Sequence, residues 1–135
     1  MPFMHIRLAS PRSIGPEQVR HLQTEATRLM ASVMRKNAEL TSVVVEVVPL
    51  QAWSIGARPT PAAAHLDVKV TQGTNSPEEK ERFIAEATAL LRDVIGDALP
   101  VATYVVVDDV PADAWGYGGL TQDARRRAAL PRQAA

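Results

Sequence analysis

A proline nitrogen has no chemistry inside a peptide bond, but at a chain terminus it is a secondary amine with a lone pair. Pro2 follows Met1, so removal of that methionine would leave such an amine at the start of the first strand. A model α-amine titrates at about 7.7 to 8.0. Burial and neighbouring cations lower that value, which suits a general base. Other chemistries find less support. The chain has no cysteine, which removes disulfides, thiolate metal sites and thiol nucleophiles. Neither Gly-x-Ser-x-Gly nor a phosphate-cradling Gly-x-x-x-x-Gly-Lys occurs, and Gly118-Gly119 is too short for a dinucleotide fingerprint. His5, His21 and His65 lack metal-ligand spacing, so no metal and no cofactor is expected. Asp108 and Asp109 are adjacent, and strand alternation sends them to opposite faces.

The elements that must hold Pro2 come twice. Residues 43–57 and 105–119 share eight of fifteen positions, from Val43/Val105 through Pro49/Pro111 and Trp53/Trp115 to Gly56/Gly118, at an offset of 62. Both tryptophans of the chain fall at the same point of this pattern, so the sequence reads as two copies of one unit. At 135 residues the copies form one domain, residues 1–119, with repeat one at 2–57 and repeat two at 63–119.

Each copy reads strand, helix, strand. Phe3 to Leu8 alternates, with Phe3, His5 and Arg7 on one side and Met4, Ile6 and Leu8 on the other. Pro16 suits the first helical position, and Val19, Leu22, Ala26, Leu29 and Val33 then mark one helical face. The β-branched run from Leu40 to Val48 reads as a strand covered on both faces. Arg58-Pro59-Thr60-Pro61 reads as a linker, because prolines disfavour regular pairing. His65 to Thr71, a helix opened by Ser76-Pro77-Glu78-Glu79 as a capping box, and Val101 to Val107 repeat the order. The expected class is α/β (α+β), a four-stranded sheet from two tandem β-α-β units with two helices on one face. The other face is expected to be too apolar for water, and therefore buried by further copies of the chain. Residues 120–135 read as an Arg- and Ala-rich tail, exposed or partly disordered.

Fifteen basic and fifteen acidic residues cancel, so neither a nucleic acid nor a membrane is expected as partner. With no signal-like or membrane-spanning run, a soluble cytoplasmic protein is expected.

The strand beginning at Pro2, Arg12 ten residues on, Pro16 opening a helix, Leu40-Thr41-Ser42-Val43 opening the second strand, and the closing Trp115-Gly116-Tyr117-Gly118-Gly119 together resemble the tautomerase superfamily. Pro11-Arg12-Ser13-Ile14-Gly15-Pro16 is similar to the macrophage migration inhibitory factor branch, and the closing motif to the 4-oxalocrotonate tautomerase branch. The resemblance covers residues 2–119. It implies a homotrimer and a cofactor-independent tautomerase or isomerase, in which Pro2 moves a proton on a keto-enol or unsaturated oxo-acid.

The same resemblance implies that Arg12 binds a substrate carboxylate and that Trp53 and Trp115 wall the amine from water, packing being the alternative for each. It matches Tyr104 to a polar site residue lent by a neighbouring subunit, and Lys36 to a site lysine. The second copy carries Ala63 or Ala64 in place of Pro2, and Gly73 or Thr74 in place of Arg12. One working proline per chain is therefore expected, with the second copy structural and lending Tyr104 and Trp115. A dehalogenase or hydratase, a decarboxylase, and a non-catalytic trimeric binding module remain as alternatives.

Overall fold

Alternation along two central strands sets the layers of the molecule. The computed structural model describes residues 2–134, with side chains for residues 2–130. Strand β1 (Phe3–Ala9) turns Met4, Ile6 and Leu8 to one side, all fully buried, and Phe3, His5 and Arg7 to the other. A second strand, Ala63–Thr71, does the same with Leu66, Val68 and Val70. The two run antiparallel with Met4 opposite Val68 and Ile6 opposite Leu66, so their apolar sides make one continuous surface.

Two helices cover that surface. Helix α1 (Pro16–Ser32) buries Leu22, Ala26, Leu29 and Met30, and α2 (Pro77–Ile95) buries Phe83, Ala87, Leu90, Leu91 and Ile95. These residues step by three and four, which keeps them on one face of each helix. Ser76 caps α2 by accepting the Glu79 N–H, and the Glu79 carboxylate accepts the Ser76 N–H in return. Gly96 ends the helix at φ +99°, a backbone geometry that a side chain resists.

In chain order the strands are β1, β2 (Ser42–Val47), β3 (Ser54–Ile55), β4 (Arg58–Pro59), β5 (Ala63–Thr71), β6 (Tyr104–Val110), β7 (Gly116–Tyr117) and β8 (Leu120–Thr121). The main sheet has the order β2-β1-β5-β6, with β2 parallel to β1 and β6 parallel to β5. This is the expected sheet of two β-α-β units. Two small antiparallel hairpins, β3-β4 and β7-β8, follow the outer strands.

Four expectations change. The run Val43-Val44-Val45 lies on an edge strand, where Val43 and Val45 pack against the core and Val44 is exposed in the single chain, so cover on its second face has to come from another subunit. Arg58-Pro59 is no linker but the return arm of a hairpin. Pro59 is opposite Ser54, and Gly56 and Ala57 turn the chain at φ +62° and +61°. The tail is exposed as expected from Arg126 to Leu130, but it is helical: α3 (Gln122–Ala134) occupies it, capped by the Thr121 hydroxyl, which accepts the Ala124 N–H. Ala135 lies outside the described residues.

The fourth change concerns the open sheet face, which is not continuously apolar. Glu46 accepts hydrogen bonds from Arg7 at 3.0 Å and His5 at 3.1 Å, and Lys69 sits 3.5 Å from Asp108 and 3.7 Å from Asp67. Phe3, Val44, Tyr104 and Val106 are interspersed and exposed. Surface charge pairs of this kind contribute about 0 to 1 kcal/mol each, so they add little stability and leave the face mixed in character. Among the described residues no helix is long and apolar enough to cross a membrane.

Candidate active site

Pro2 sits at the head of β1, fully buried, with its carbonyl accepting the Ser42 N–H at 3.2 Å. It lines a cavity of about 320 Å³ together with Phe3, Ser42 and Lys69 from the main sheet. The opposite wall is Trp115, Gly116, Tyr117 and Gln122. All of these wall residues belong to the second unit or to the segment that follows it. The reason is the antiparallel pairing of β1 and β5, which brings the end of β5 beside the start of β1. The chain leaving β6 therefore closes over the first unit's proline.

The wall is fixed at several points. Trp115 Nε1 donates to the buried Thr71 hydroxyl at 3.2 Å. Arg125 on α3 lies over the Tyr117 ring at 3.9 Å from its centroid and donates from Nη2 to the Tyr117 carbonyl at 2.9 Å. Such a cation over an aromatic face contributes about 0.5 to 2 kcal/mol. At Gly116 a Cβ would fall 1.9 Å from the Leu120 carbonyl oxygen, so the closure of the β7-β8 hairpin requires glycine there. Helix α3 is thus part of the cavity's construction.

Lys69 is the charged residue of this cavity. It enters because β5 places it opposite Phe3, and its side chain remains about half exposed beside Asp67 and Asp108. The sequence offered no local signal for it, since its role depends on a register between distant strands. Tyr117 and Gln122 were missed for the same reason.

The remaining candidates lie elsewhere. Arg12 follows the far end of β1, roughly 20 Å from Pro2 at ~3.3 Å per strand residue, and its Nη2 donates to the Ile95 carbonyl at 3.1 Å. Within one chain it caps α2 and does not reach the proline. Lys36 is near the Pro2 end but outside the cavity lining, and its Nζ donates to Thr74 Oγ1 at 2.7 Å. Burial pushes its ammonium below the ordinary lysine value, with Arg35 adding to the effect. Trp53 and Tyr104 line a different cavity, around Ala64. Whether Met1 is removed concerns a residue outside those described.

A groove between α1 and α2 also exists, lined by His21, Glu25, Arg28 and Asp93 among others. Its charges are already matched, His21 with Asp93 and Arg28 with Glu25, and it offers no convergent acid, base or nucleophile.

The arrangement around Pro2 is that of a small, mostly apolar chamber with one cation. A protein from Dickeya dadantii (strain 3937), named a probable tautomerase, is 36% identical over 64 residues, which are 47% of this chain and 94% of that protein. The chain belongs to the tautomerase family. The family model described as Tautomerase enzyme matches residues 65–125, so in this tautomerase-family chain the family's pattern is most legible in the unit without the proline. Among solved structures, a fused 4-OT forming a symmetric trimer superposes with a TM-score of 0.80 at 14% identity, over 91% of this chain and 98% of that one. A macrophage migration inhibitory factor-like protein from Entamoeba histolytica superposes with a TM-score of 0.73 at 18% identity, over 89% and 97%. At these identities the likeness is one of fold.

Proposed function

We propose that this tautomerase-family chain moves a proton on a keto-enol or unsaturated oxo-acid, with the amine of Pro2 as acid and base once Met1 is gone. The observation that carries this is the buried position of Pro2 in a mostly apolar cavity beside a single cation. The buried position and the nearby Lys69 ammonium both disfavour the protonated amine, which suits it to act as a base. The amine takes a proton from the enolised substrate and returns one to another atom of the same conjugated system. Electrons shift within the substrate, and no outside oxidant or reductant takes part.

Lys69 supports binding of a substrate carboxylate. Trp115 and Tyr117 keep water from the amine, which strengthens every charge interaction inside the cavity. Water addition with dehalogenation is less well supported, because it needs a further acid or base to activate water. Among the described lining residues, Lys69 and Tyr117 are the titratable side chains.

Assembly as a homotrimer is part of the proposal. The fused 4-OT neighbours are described as trimers, and the open sheet face exposes Phe3, Val44, Tyr104 and Val106 for further burial.

The test is ketonisation of phenylenolpyruvate by the wild type and by Pro2→Ala, after intact mass has established loss of Met1. A severe loss of rate in Pro2→Ala is expected. Equal rates, or an active protein that retains Met1, would overturn the mechanism.

A further inference from the structure

The 62-residue offset of the sequence is also an offset of cavities. Ala64, His65, Tyr104 and Trp53 line a second chamber of about 300 Å³, where Pro2, Phe3, Ser42 and Trp115 line the first. Each of these residues is the counterpart of the other at that spacing. The walls are exchanged, because β3-β4 of the first unit closes over the second unit's Ala64 as β7-β8 closes over Pro2. The chamber around Ala64 has no free amine, since Ala64 is inside β5.

Its polar groups have changed in one direction. Arg7 is the counterpart of Lys69, and lies opposite His65 in the β1-β5 register. It shares with Trp53, Ser54 and His65 a hollow that adjoins the Ala64 chamber. Its Nε donates to Glu46, while among the described residues its Nη groups meet no acceptor. Trp115 gives its indole N–H to Thr71; at Thr71's counterpart stands Ala9, and among the described residues Trp53 Nε1 has no acceptor. The Tyr104 hydroxyl and the His65 imidazole add further donors. The chamber and the adjoining hollow thus present several donors and an aromatic wall. No carboxylate is in either lining, and Glu46, outside both, takes only the Nε–H from Arg7.

We infer that the Ala64 chamber is a second binding site, for small planar carboxylates, and that it holds its ligand without turning it over. Arg7 and the Trp53 indole take the carboxylate oxygens, and the Trp53 and Tyr104 rings flank the conjugated part. The ligand class rests on the function proposed for the Pro2 cavity, while occupancy of this chamber does not depend on that reaction.

The two tryptophans allow the chambers to be read separately. The full chain, labelled with 15N-tryptophan, is titrated with trans-cinnamate and with the neutral cinnamamide, and the two indole N–H resonances are assigned by Trp53→Phe and Trp115→Phe. The Trp53 resonance is expected to shift and saturate with cinnamate, in wild type and in Pro2→Ala alike. Arg7→Met is expected to weaken the Trp53 midpoint about tenfold or more, the scale of a lost charge-assisted hydrogen bond, and to leave the Trp115 midpoint in place. A Trp53 resonance that stays fixed while Trp115 saturates would overturn the inference. So would equal midpoints for cinnamate and cinnamamide in the wild type, a comparison that needs no variant to fold. Failure of the Pro2 mechanism would show instead as unchanged turnover in Pro2→Ala.

Discussion

Replacing Lys69 with methionine removes the charge from the Pro2 cavity while keeping most of the side chain's volume. A hydrogen bond to a charged group contributes about 1.5 to 3 kcal/mol, or roughly ten- to a hundredfold in binding. Lys69 is about half exposed and already shares its charge with Asp67 and Asp108 at 3.7 and 3.5 Å. The lower end therefore applies, and a rise of about tenfold in KM for a carboxylated enol is expected, with kcat changing less because the contact exists in the ground state too. Loss of the cation also eases protonation of the amine, so the acid limb of kcat/KM against pH moves to higher pH. Arg12→Met is the control. It breaks the bond to the Ile95 carbonyl, which destabilises the fold by about 1 kcal/mol, and leaves KM unchanged. Steady-state kinetics across pH, with thermal melts of both variants, give all of these quantities. A tenfold rise in KM for Arg12→Met with none for Lys69→Met would refute the assignment, and would mean that a neighbouring subunit delivers Arg12 to the cavity.

Glu79 is held to a pKa of about 2, first by Arg35 and then by the Ser76 N–H and Asn75. A depressed carboxylate contributes stability above its unfolded value and loses it as pH falls through the folded one. Glu79→Gln is thus expected to lower the melting temperature at pH 7, and the gap from wild type is expected to close between about pH 4.5 and 2; a gap of constant size would refute this. Gly116→Ala is expected to disrupt the β7-β8 hairpin and abolish most turnover while the far-UV spectrum stays native-like. Full activity in that variant would show that the wall over Pro2 is dispensable.

Local features of the sequence announced a good part of this molecule. Alternation gave the inward Met4, Ile6 and Leu8, the Ser76 capping box opened α2 where expected, and the repeated Trp-x-x-Gly marked where each unit closes. What stayed hidden was the partner of each hairpin. The resemblance assigned both tryptophans to the amine; that Trp115 lines the Pro2 cavity while Trp53 lines the one around Ala64 depends on β1 and β5 pairing antiparallel across sixty residues of chain. Lys69 was invisible for the same reason, and Arg12 came from the resemblance alone, which does not show that within one chain it lies beyond the far end of β1 against Ile95. The valines of β2 are half answered by one chain, since Val43 and Val45 pack on the core while Val44 faces outward. The tail's Ala and Arg content suits a helix as well as an exposed coil, and the Thr121 cap and the stacking of Arg125 on Tyr117 decide between them.

The exchange of hairpins between the two units has a consequence for how such a chain can diversify. In a dimer of identical single units, every substitution would alter both chambers at once, so a base could not be lost from one without loss from both. Joining the units in one polypeptide removes that constraint, and Pro2 and Ala64, or Lys69 and Arg7, are free to differ. The exchange also prevents either half from going its own way, because each chamber is roofed by the other half. Fusion here separates the two chambers' chemistry while keeping their architecture in common.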